Sequence, residues 1–507
     1  MALAVVHSRA LDGFHAPPVR VEVHLTNGLP SFQLVGLADT EVKEARERVR
    51  AALLHSGLGF PHNRRITVNL APADLPKESG RFDLPIAVGI LAAAGQIDAS
   101  RLAGLEFAGE LSLAGELRAV RGAVALAMAL RRDGAQRALV LPTDSAAQAA
   151  RVSGVTVLQA AHLLDVHAAL IGGEAARAMS VAVPAVAPAP AAVPDLAEVR
   201  GQAACKRVLE IAAVGGHSLL LVGPPGSGKT LLAQRLPGLL PPMSEDEAMT
   251  SAALQGLDAQ GLEGAGWGKR PLRTPHHTAS AVALVGGGSP PRPGEISLAH
   301  GGVLFLDELV EFPRAALEAL REPLESGVIT LSRAARRVTY PARFQFVAAM
   351  NPCPCGWLGA AQAARPCRCT ADAIVRYQAR LSGPLLDRID LQIEVPALPA
   401  SELLVATAAE PSAAVAVRVA RARQRALDRQ GTINADLDPA GLQMHARLAS
   451  DAQTLLLRVG ALGGWSGRSV HRTLKVARSI ADLAGADTLA VSHVAEALQY
   501  RRGLPGA

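Results

Sequence analysis

The sequence predicts an α/β fold centred on a phosphate-binding loop, and three observations predict it. Short apolar runs recur along the chain and end in turn residues, as buried parallel strands do. One of them, Ser218 to Val222 (SLLLV), runs into Gly223, Pro224, Pro225, Gly226, Ser227, Gly228, Lys229 and Thr230, which fit G-x-x-x-x-G-K-[ST] at every fixed position. Another, Gly302 to Leu306 (GVLFL), ends in the acidic pair Asp307-Glu308.

The loop between a strand and a helix start, Leu231 to Leu236, has a specific use. Its backbone N–H groups and the helix N-terminus face the phosphates of ATP, Lys229 reaches the β and γ phosphates, and the Thr230 hydroxyl holds Mg²⁺. An acidic pair at the carboxyl end of a neighbouring strand completes the site: Asp307 holds the Mg²⁺ shell and Glu308 polarises the attacking water. A solvated Asp-Glu opening the next helix would explain the charges but not the apolar strand feeding into them.

The 507 residues leave room for two to four domains. Lys and Arg number 51 against 45 Asp and Glu, and the net charge of +6 mildly favours an anionic partner. Aromatic residues make up 3%, which argues against a base-stacking surface as the main grip on nucleic acid. No stretch reads as a membrane span, and the opening MALAVVHSRA lacks a basic n-region and a long apolar core, so the expected address is cytoplasmic with no membrane partner.

Residues 1–178 read as a first α/β domain without a phosphate loop. Val21 to Leu25 and Ile66 to Leu70 alternate like strands, and Val42, Ala45, Val49 and Leu53 mark a helix from about Asp39 to Leu54. Leu84 to Ala94 is a short apolar helix, and Gly115 to Val120, Ala123 to Arg132 and Arg137 to Pro142 read as strand, helix and strand. The run Gly115 to Pro142, with Pro76-Lys77-Glu78-Ser79-Gly80 upstream, resembles the proteolytic domain of Lon proteases. That family uses a Ser nucleophile and a Lys base. Here the serine's neighbourhood holds Arg81, Phe82 and Asp83, the lysine position falls on Val124, and Ser79 and Lys77 lie elsewhere in the pattern. The resemblance implies a Lon-like scaffold without peptidase chemistry.

Residues 179–195 form a linker; Ser180 to Pro194 holds four prolines and no charge. The nucleotide-binding core spans 196–398, opening on Asp195 to Ile211, an amphipathic stretch after Gly201. Between the loop and the acidic pair lies a Gly/Pro-rich insertion, Ser251 to His300, with Lys269, Arg270, Arg273, His276 and His277. A loop of this length is uncommon unless functional, and a pore loop or substrate contact is expected. Adjacent histidine side chains diverge, which weighs against a metal there. Ala315 to Ser326 reads as a helix, and Val328 to Ser332 and Val338 to Phe346 as strands around a tip with Arg333, Arg336 and Arg337. Those three guanidinium groups suit phosphates such as those of DNA, or equally a solvated or intersubunit face.

The end of the next strand, Phe346 to Met350, leads into Asn351; in the class of ATPases that this core resembles, that position carries a polar residue that helps orient the attacking water, which implies that role for Asn351. Cys353-Pro354-Cys355 and Cys367-Arg368-Cys369 follow, four of the five cysteines of the chain. In a reducing compartment this clustering points to metal before disulfides, and four thiolates suit tetrahedral Zn²⁺; reduced, unmetallated thiols are the alternative. Thr370 to Leu381 reads as a helix. LLDRID, Leu385 to Asp390, is similar to the segment of magnesium-chelatase and replicative-helicase ATPases that gives an arginine to a neighbouring subunit's nucleotide. That similarity implies Arg388 as a finger acting in trans, which needs a ring. Residues 399–507 read as an Ala-rich helical domain. Its helix from Gly467 to Leu483 looks like a lid over the nucleotide, with Arg468 matching a second sensing arginine and Arg472 in reserve.

Taken together, GPPGSGKT, RTPHHTAS, LFLDEL, AAMNPCPCG, CRC, RYQARLSGPLLDRIDLQIEV and SGRSVHRTLKVARSIADL resemble the YifB/ComM family of magnesium-chelatase-like AAA+ ATPases from end to end. The resemblance implies an AAA+ core with a helical lid behind a Lon-like domain. It also implies a hexameric, ATP-driven motor on single-stranded or branched DNA that promotes branch migration during natural transformation. An ATP-driven protein remodeller and a magnesium-chelatase motor subunit are the competing readings.

Overall fold

The computed structural model describes residues 2–36, 40–75, 77, 80–134, 136–173, 176–184, 193–258, 266–288, 291–333, 336–359, 366–399 and 409–501. The chain divides into two compact units. One comprises Met1–Pro188, Ala248–Trp267 and Ser332–Thr339, the other Ala189–Glu247, Gly268–Leu331 and Tyr340–Ala507.

The first unit is built on an eight-stranded mixed sheet. Across it lie Ser180–Val181, Val157–Ala160, Ala138–Pro142, Leu105–Phe107, Ala2–Arg9, Pro18–Asn27, Arg64–Ala71 and Ser31–Val35. Alternation in Pro18–Asn27 puts Val19, Val21, Val23 and Leu25 in the core, as period-2 patterning demands. Against this face packs the helix Asp83–Ala93, every residue of which is buried. Its Gly89 lies so close to the sheet that a Cβ would stand 2.5 Å from Val23 Cγ2, so the helix can approach only there without a side chain. Val124 sits buried on the helix Ala123–Arg132, and Arg81, Phe82 and Asp83 are buried in the turn that leads into Asp83–Ala93 and at its start. Glu78 and Ser79 lie outside the described residues. Burial, ahead of the Arg48 guanidinium that opposes it, pushes the Asp83 carboxyl up to about 6.

The expected strand Gly115 to Val120 shrinks to Leu117–Arg118, paired in a two-stranded ribbon with Glu110–Leu111. Gly115, at φ +98°, turns the chain before it can extend.

The second unit carries a five-stranded, all-parallel sheet in the order Leu272–Arg273, Val303–Leu306, Gln345–Met350, Leu219–Val222 and Leu391–Glu394. Both faces are covered, as a parallel sheet requires. Leu219, Leu221, Val303, Phe305, Val347 and Ala349 face the helix Ala203–Gly215 and the C-terminal helices Ser412–Gln430, Pro439–His445, Ser450–Leu462, Gly467–Leu483 and Val491–Gln499. Leu220, Val222, Leu304, Leu306, Phe346 and Ala348 face a second core with Leu284, Ile296, Ala316 and Leu385. Most of the expected start of the C-terminal region, from 399 on, falls on 400–408, outside the described residues.

Three expectations for the middle of the chain change. Ser251 to His300 is not one long loop. It holds the end of the helix Glu245–Gln255, the edge strand Leu272–Arg273, the helices Ala281–Val285 and Glu295–Leu298, and a ribbon of Gly286–Gly287 with Arg292–Pro293; 259–265 lie outside the described residues. Ala315 to Ser326 splits into Arg314–Glu318 and Pro323–Ser326, because Pro323 has no N–H to continue the first helix. Val338 to Phe346 also splits. Arg336–Pro341 pairs with Val328–Arg333, and the chain restarts as Gln345–Met350 in the central sheet. Proline at 341 ends the ribbon.

Candidate nucleotide site

The phosphate loop leaves the central strand Leu219–Val222 and enters a five-residue helix, Lys229–Ala233. Gly226 and Gly228 hold φ values of +75° and +90°, which L side chains rarely adopt. At Gly223 the constraint is space: a Cβ would stand 2.3 Å from the Val395 carbonyl oxygen. Lys229 Nζ curls back to donate to the carbonyls of Gly223 at 2.8 Å and Pro224 at 2.9 Å, and to Asn351 Oδ1 at 3.2 Å. Burial pulls its ammonium below the usual range, with Asp307 and Glu308 opposing that shift. A polyphosphate would relieve the same penalty.

Thr230 Oγ1 donates to Asp307 Oδ2 at 2.6 Å, so the two residues proposed for Mg²⁺ from the sequence touch across the end of Gln345–Met350, the strand that lies between theirs. Hydroxyl and carboxylate oxygens are the hard donors that Mg²⁺ takes. Glu308 follows at φ +52°, ψ +47°, a left-handed conformation unusual for a residue with a side chain. Pro225, Gly228, Lys229, Thr230, Leu231, Asp307, Glu308, Met350 and Asn351 line one cleft of about 320 Å³.

Two arginines expected at a nucleotide stand elsewhere. Arg388 donates to the carbonyls of Arg321 at 3.1 Å and Pro384 at 2.7 Å and pairs with Glu325 at 2.7 Å. Arg468 reaches the same Glu325 carboxylate at 3.6 Å. Neither lines the cleft of its own chain. Arg472 lies beside Asp390 at 3.5 Å. Arg337 is exposed on the ribbon; the side chains of Arg333 and Arg336 lie outside the described residues.

The sulfur atoms of Cys353, Cys355, Cys367 and Cys369 all lie within 4.8 Å of one another. Three of the separations are 3.4, 3.7 and 3.6 Å. Tetrahedral zinc with Zn–S near 2.3 Å sets sulfurs about 3.8 Å apart, so the donor set fits that ion. Desolvation works upward on Cys355, but the N–H groups of Trp357 and Arg368 and the neighbouring thiols bring it down to about 6. At Cys369 a backbone hydrogen bond to Cys355 works downward, yet desolvation and the Cys355 and Cys353 sulfurs push the thiol up to about 12. Packed sulfurs of this kind ionise together only around a cation.

Sequence reasoning singled out His277 in the insertion but did not place it at the acidic pair. Its imidazole stacks on His276 with ring centres 4.1 Å apart and planes at 33°, instead of diverging, and its Nδ1 stands 3.1 Å from Glu308 Oε2. The signal was a polar residue just past an edge strand beside the acidic pair, but Leu272–Arg273 is too short to read as a strand.

Comparison with known proteins agrees with this architecture. Residues 195–403 match the family described as magnesium chelatase, subunit ChlI, residues 21–145 match subunit ChlI of Mg-chelatase, and residues 409–501 match its C-terminal region. The chain is 49% identical over 505 residues to the uncharacterized protein YifB of Salmonella typhimurium, covering 99% of this chain and 97% of the relative. It is 48% identical over 505 residues to the competence protein ComM of Haemophilus influenzae, covering 99% and 98%. An uncharacterized protein of Mycobacterium bovis is 41% identical over 513 residues, with 99% of each covered. Among the described residues no helix is long and apolar enough to cross a membrane. With its loop, acidic pair and parallel sheet placed as above, the chain belongs to the YifB/ComM family of magnesium-chelatase-like AAA+ proteins.

Proposed function

We propose that this chain is a Mg²⁺-dependent ATPase that assembles as a hexameric ring and drives branch migration of DNA during natural transformation and recombination. The observation that carries the ATPase is the convergence of Lys229, Thr230, Asp307, Glu308 and Asn351 on one cleft. Lys229 and the loop N–H groups bind the phosphates, Thr230 and Asp307 offer oxygens to the metal, Glu308 takes the proton of the attacking water, and Asn351 orients that water. Bound Mg²⁺ neutralises charge on the phosphates. Arg388 serves a neighbouring subunit's nucleotide, and Arg468 senses it. DNA as the substrate is supported by likeness to a protein named for competence and by the net charge of +6, with Arg333, Arg336 and Arg337 as its contacts. The front domain acts as a Lon-like scaffold without the Ser-Lys dyad, the four cysteines hold zinc, and the protein works in the cytoplasm.

ATP turnover with and without single-stranded or forked DNA, at two salt concentrations and with Glu308→Gln as the blank, tests the reading. Stimulation by DNA that weakens with salt is expected. Robust basal turnover indifferent to DNA but raised by an unfolded polypeptide would replace the motor with a protein remodeller.

A further inference from the structure

The four-cysteine cluster stands against the nucleotide site rather than apart from it. The central strand Gln345–Met350 delivers Asn351, and two residues later the chain reaches Cys353, whose side chain is fully buried. A turn closed by Gly356 N–H donating to the Cys353 carbonyl at 2.9 Å brings Gly356 back to φ +82°. A Cβ on Gly356 would stand 2.6 Å from Pro225 Cδ in the phosphate loop and 3.7 Å from Asn351 Cγ. Pro225 and Asn351 both line the cleft, and Asn351 holds Lys229. From the other side, the helix Ala371–Gln378 begins just after Cys369, and its buried Gln378 donates to the Pro352 carbonyl at 3.0 Å, between Asn351 and the first cysteine. The turn that carries two sulfurs is therefore packed between the phosphate loop and a helix tied to the other two.

We propose that metal held by Cys353, Cys355, Cys367 and Cys369 is energetically coupled to ATP in the adjacent cleft. The ion, a thiophilic divalent cation such as zinc, fixes the Cys353–Gly356 turn; that turn buttresses Pro225 and sets Asn351 against Lys229. Without the ion the four sulfurs repel or hydrogen-bond in other arrangements, and the buttress is lost. Coupling between two sites is reciprocal, so nucleotide tightens metal binding by the factor by which metal tightens nucleotide. The inference rests on the ATPase reading.

The test uses full-length protein, reduced and loaded with one equivalent of zinc, then stripped with a chelator and desalted. Affinity for a fluorescent ATP analogue is measured in both forms and after zinc is returned, and zinc affinity is measured against a chromophoric chelator with and without saturating nucleotide. Stripping is expected to weaken nucleotide binding about tenfold, within the usual range of site-to-site coupling, with zinc restoring it and nucleotide strengthening zinc by the same factor. Gly356→Ala keeps all four thiols but strains the turn at φ +82° and sets a Cβ against Pro225, so zinc and nucleotide affinity are expected to fall together; zinc affinity lowered with nucleotide affinity unchanged would overturn the coupling. A stripped protein with an unchanged circular dichroism spectrum that binds the analogue as tightly as the loaded form overturns the coupling, as does a cluster that takes up no zinc. A zinc-loaded protein that binds no nucleotide at all sinks the ATPase reading, and the inference with it.

Discussion

Thr230→Ala removes a hydroxyl that donates to Asp307 Oδ2 at 2.6 Å, so it separates the two oxygen donors aimed at Mg²⁺. A hydrogen bond to a charged acceptor contributes about 1.5–3 kcal/mol, which at about 1.4 kcal/mol per decade corresponds to roughly 10- to 150-fold in an equilibrium constant. Thr230 is exposed, which screens the charge and places the effect at the lower end, roughly 10- to 30-fold. The loss is expected in the Mg²⁺ concentration that half-saturates turnover, because the phosphates themselves are held by Lys229 and the loop. ATP hydrolysis is followed across a Mg²⁺ series for the wild type, Thr230→Ala and Thr230→Ser. Serine keeps the hydroxyl and stays close to the wild type. Equal Mg²⁺ requirements for the alanine and serine variants would refute the assignment of Thr230 as a metal donor.

Three further outcomes follow from the geometry. Burial, with Arg343 adding to it and Glu247 opposing it, holds the His300 imidazole down at about 4 against an ordinary 6.5, and its Nδ1 accepts the Arg343 N–H at 3.1 Å. The neutral ring is the form that folds, so its contribution is complete above pH about 6.5, falls as the pH drops towards 4, and amounts to about 3 kcal/mol; urea unfolding between these limits should steepen for the wild type and flatten for His300→Gln. Gly223→Ala drives a Cβ to 2.3 Å from a backbone oxygen that cannot step aside, costing about 1–3 kcal/mol in urea unfolding and weakening nucleotide binding; unchanged affinity would show that the loop tolerates displacement. Arg388→Ala chains should bind nucleotide but not turn it over, and mixing them with Glu308→Gln chains should restore turnover, because each supplies what the other lacks; no recovery on mixing would place Arg388 outside the chemistry.

Four of the five strands of the central sheet were legible because each is a run of four to six residues bounded by turn-forming or charged ones, and parallel strands buried on both faces leave no other pattern. Helices at Ala123–Arg132 and Gly467–Leu483 appear where periodicity placed them. Short elements escaped for a physical reason. Two-residue strands such as Leu272–Arg273 and Gly286–Gly287 owe their conformation to a partner strand and carry no period of their own. Side-chain partnerships across the fold were equally hidden. Nothing in the local sequence links Gly356 to Pro225, or His277 to Glu308, because sheet order, not spacing, brings them together.

Glu308 shows why chemistry and stability part company at this site. A left-handed backbone costs a residue with a side chain about 1–2 kcal/mol. What it does is turn the carboxylate out of the strand, where it meets His277 and the mouth of the cleft. Charge in that cleft is also lopsided: among its lining residues Asp307 and Glu308 face Lys229 alone, too little positive charge for a triphosphate in flight. The arginines suited to that task, Arg388 and Arg468, are instead held by one carboxylate, Glu325. Within the proposed ring this is consistent: Glu325 orders the exposed Arg468 and the largely covered Arg388 together, and both would have to turn from it to meet the next subunit's nucleotide. On that proposal hydrolysis would depend on assembly, with the acid pair in one chain and the compensating arginines in the next.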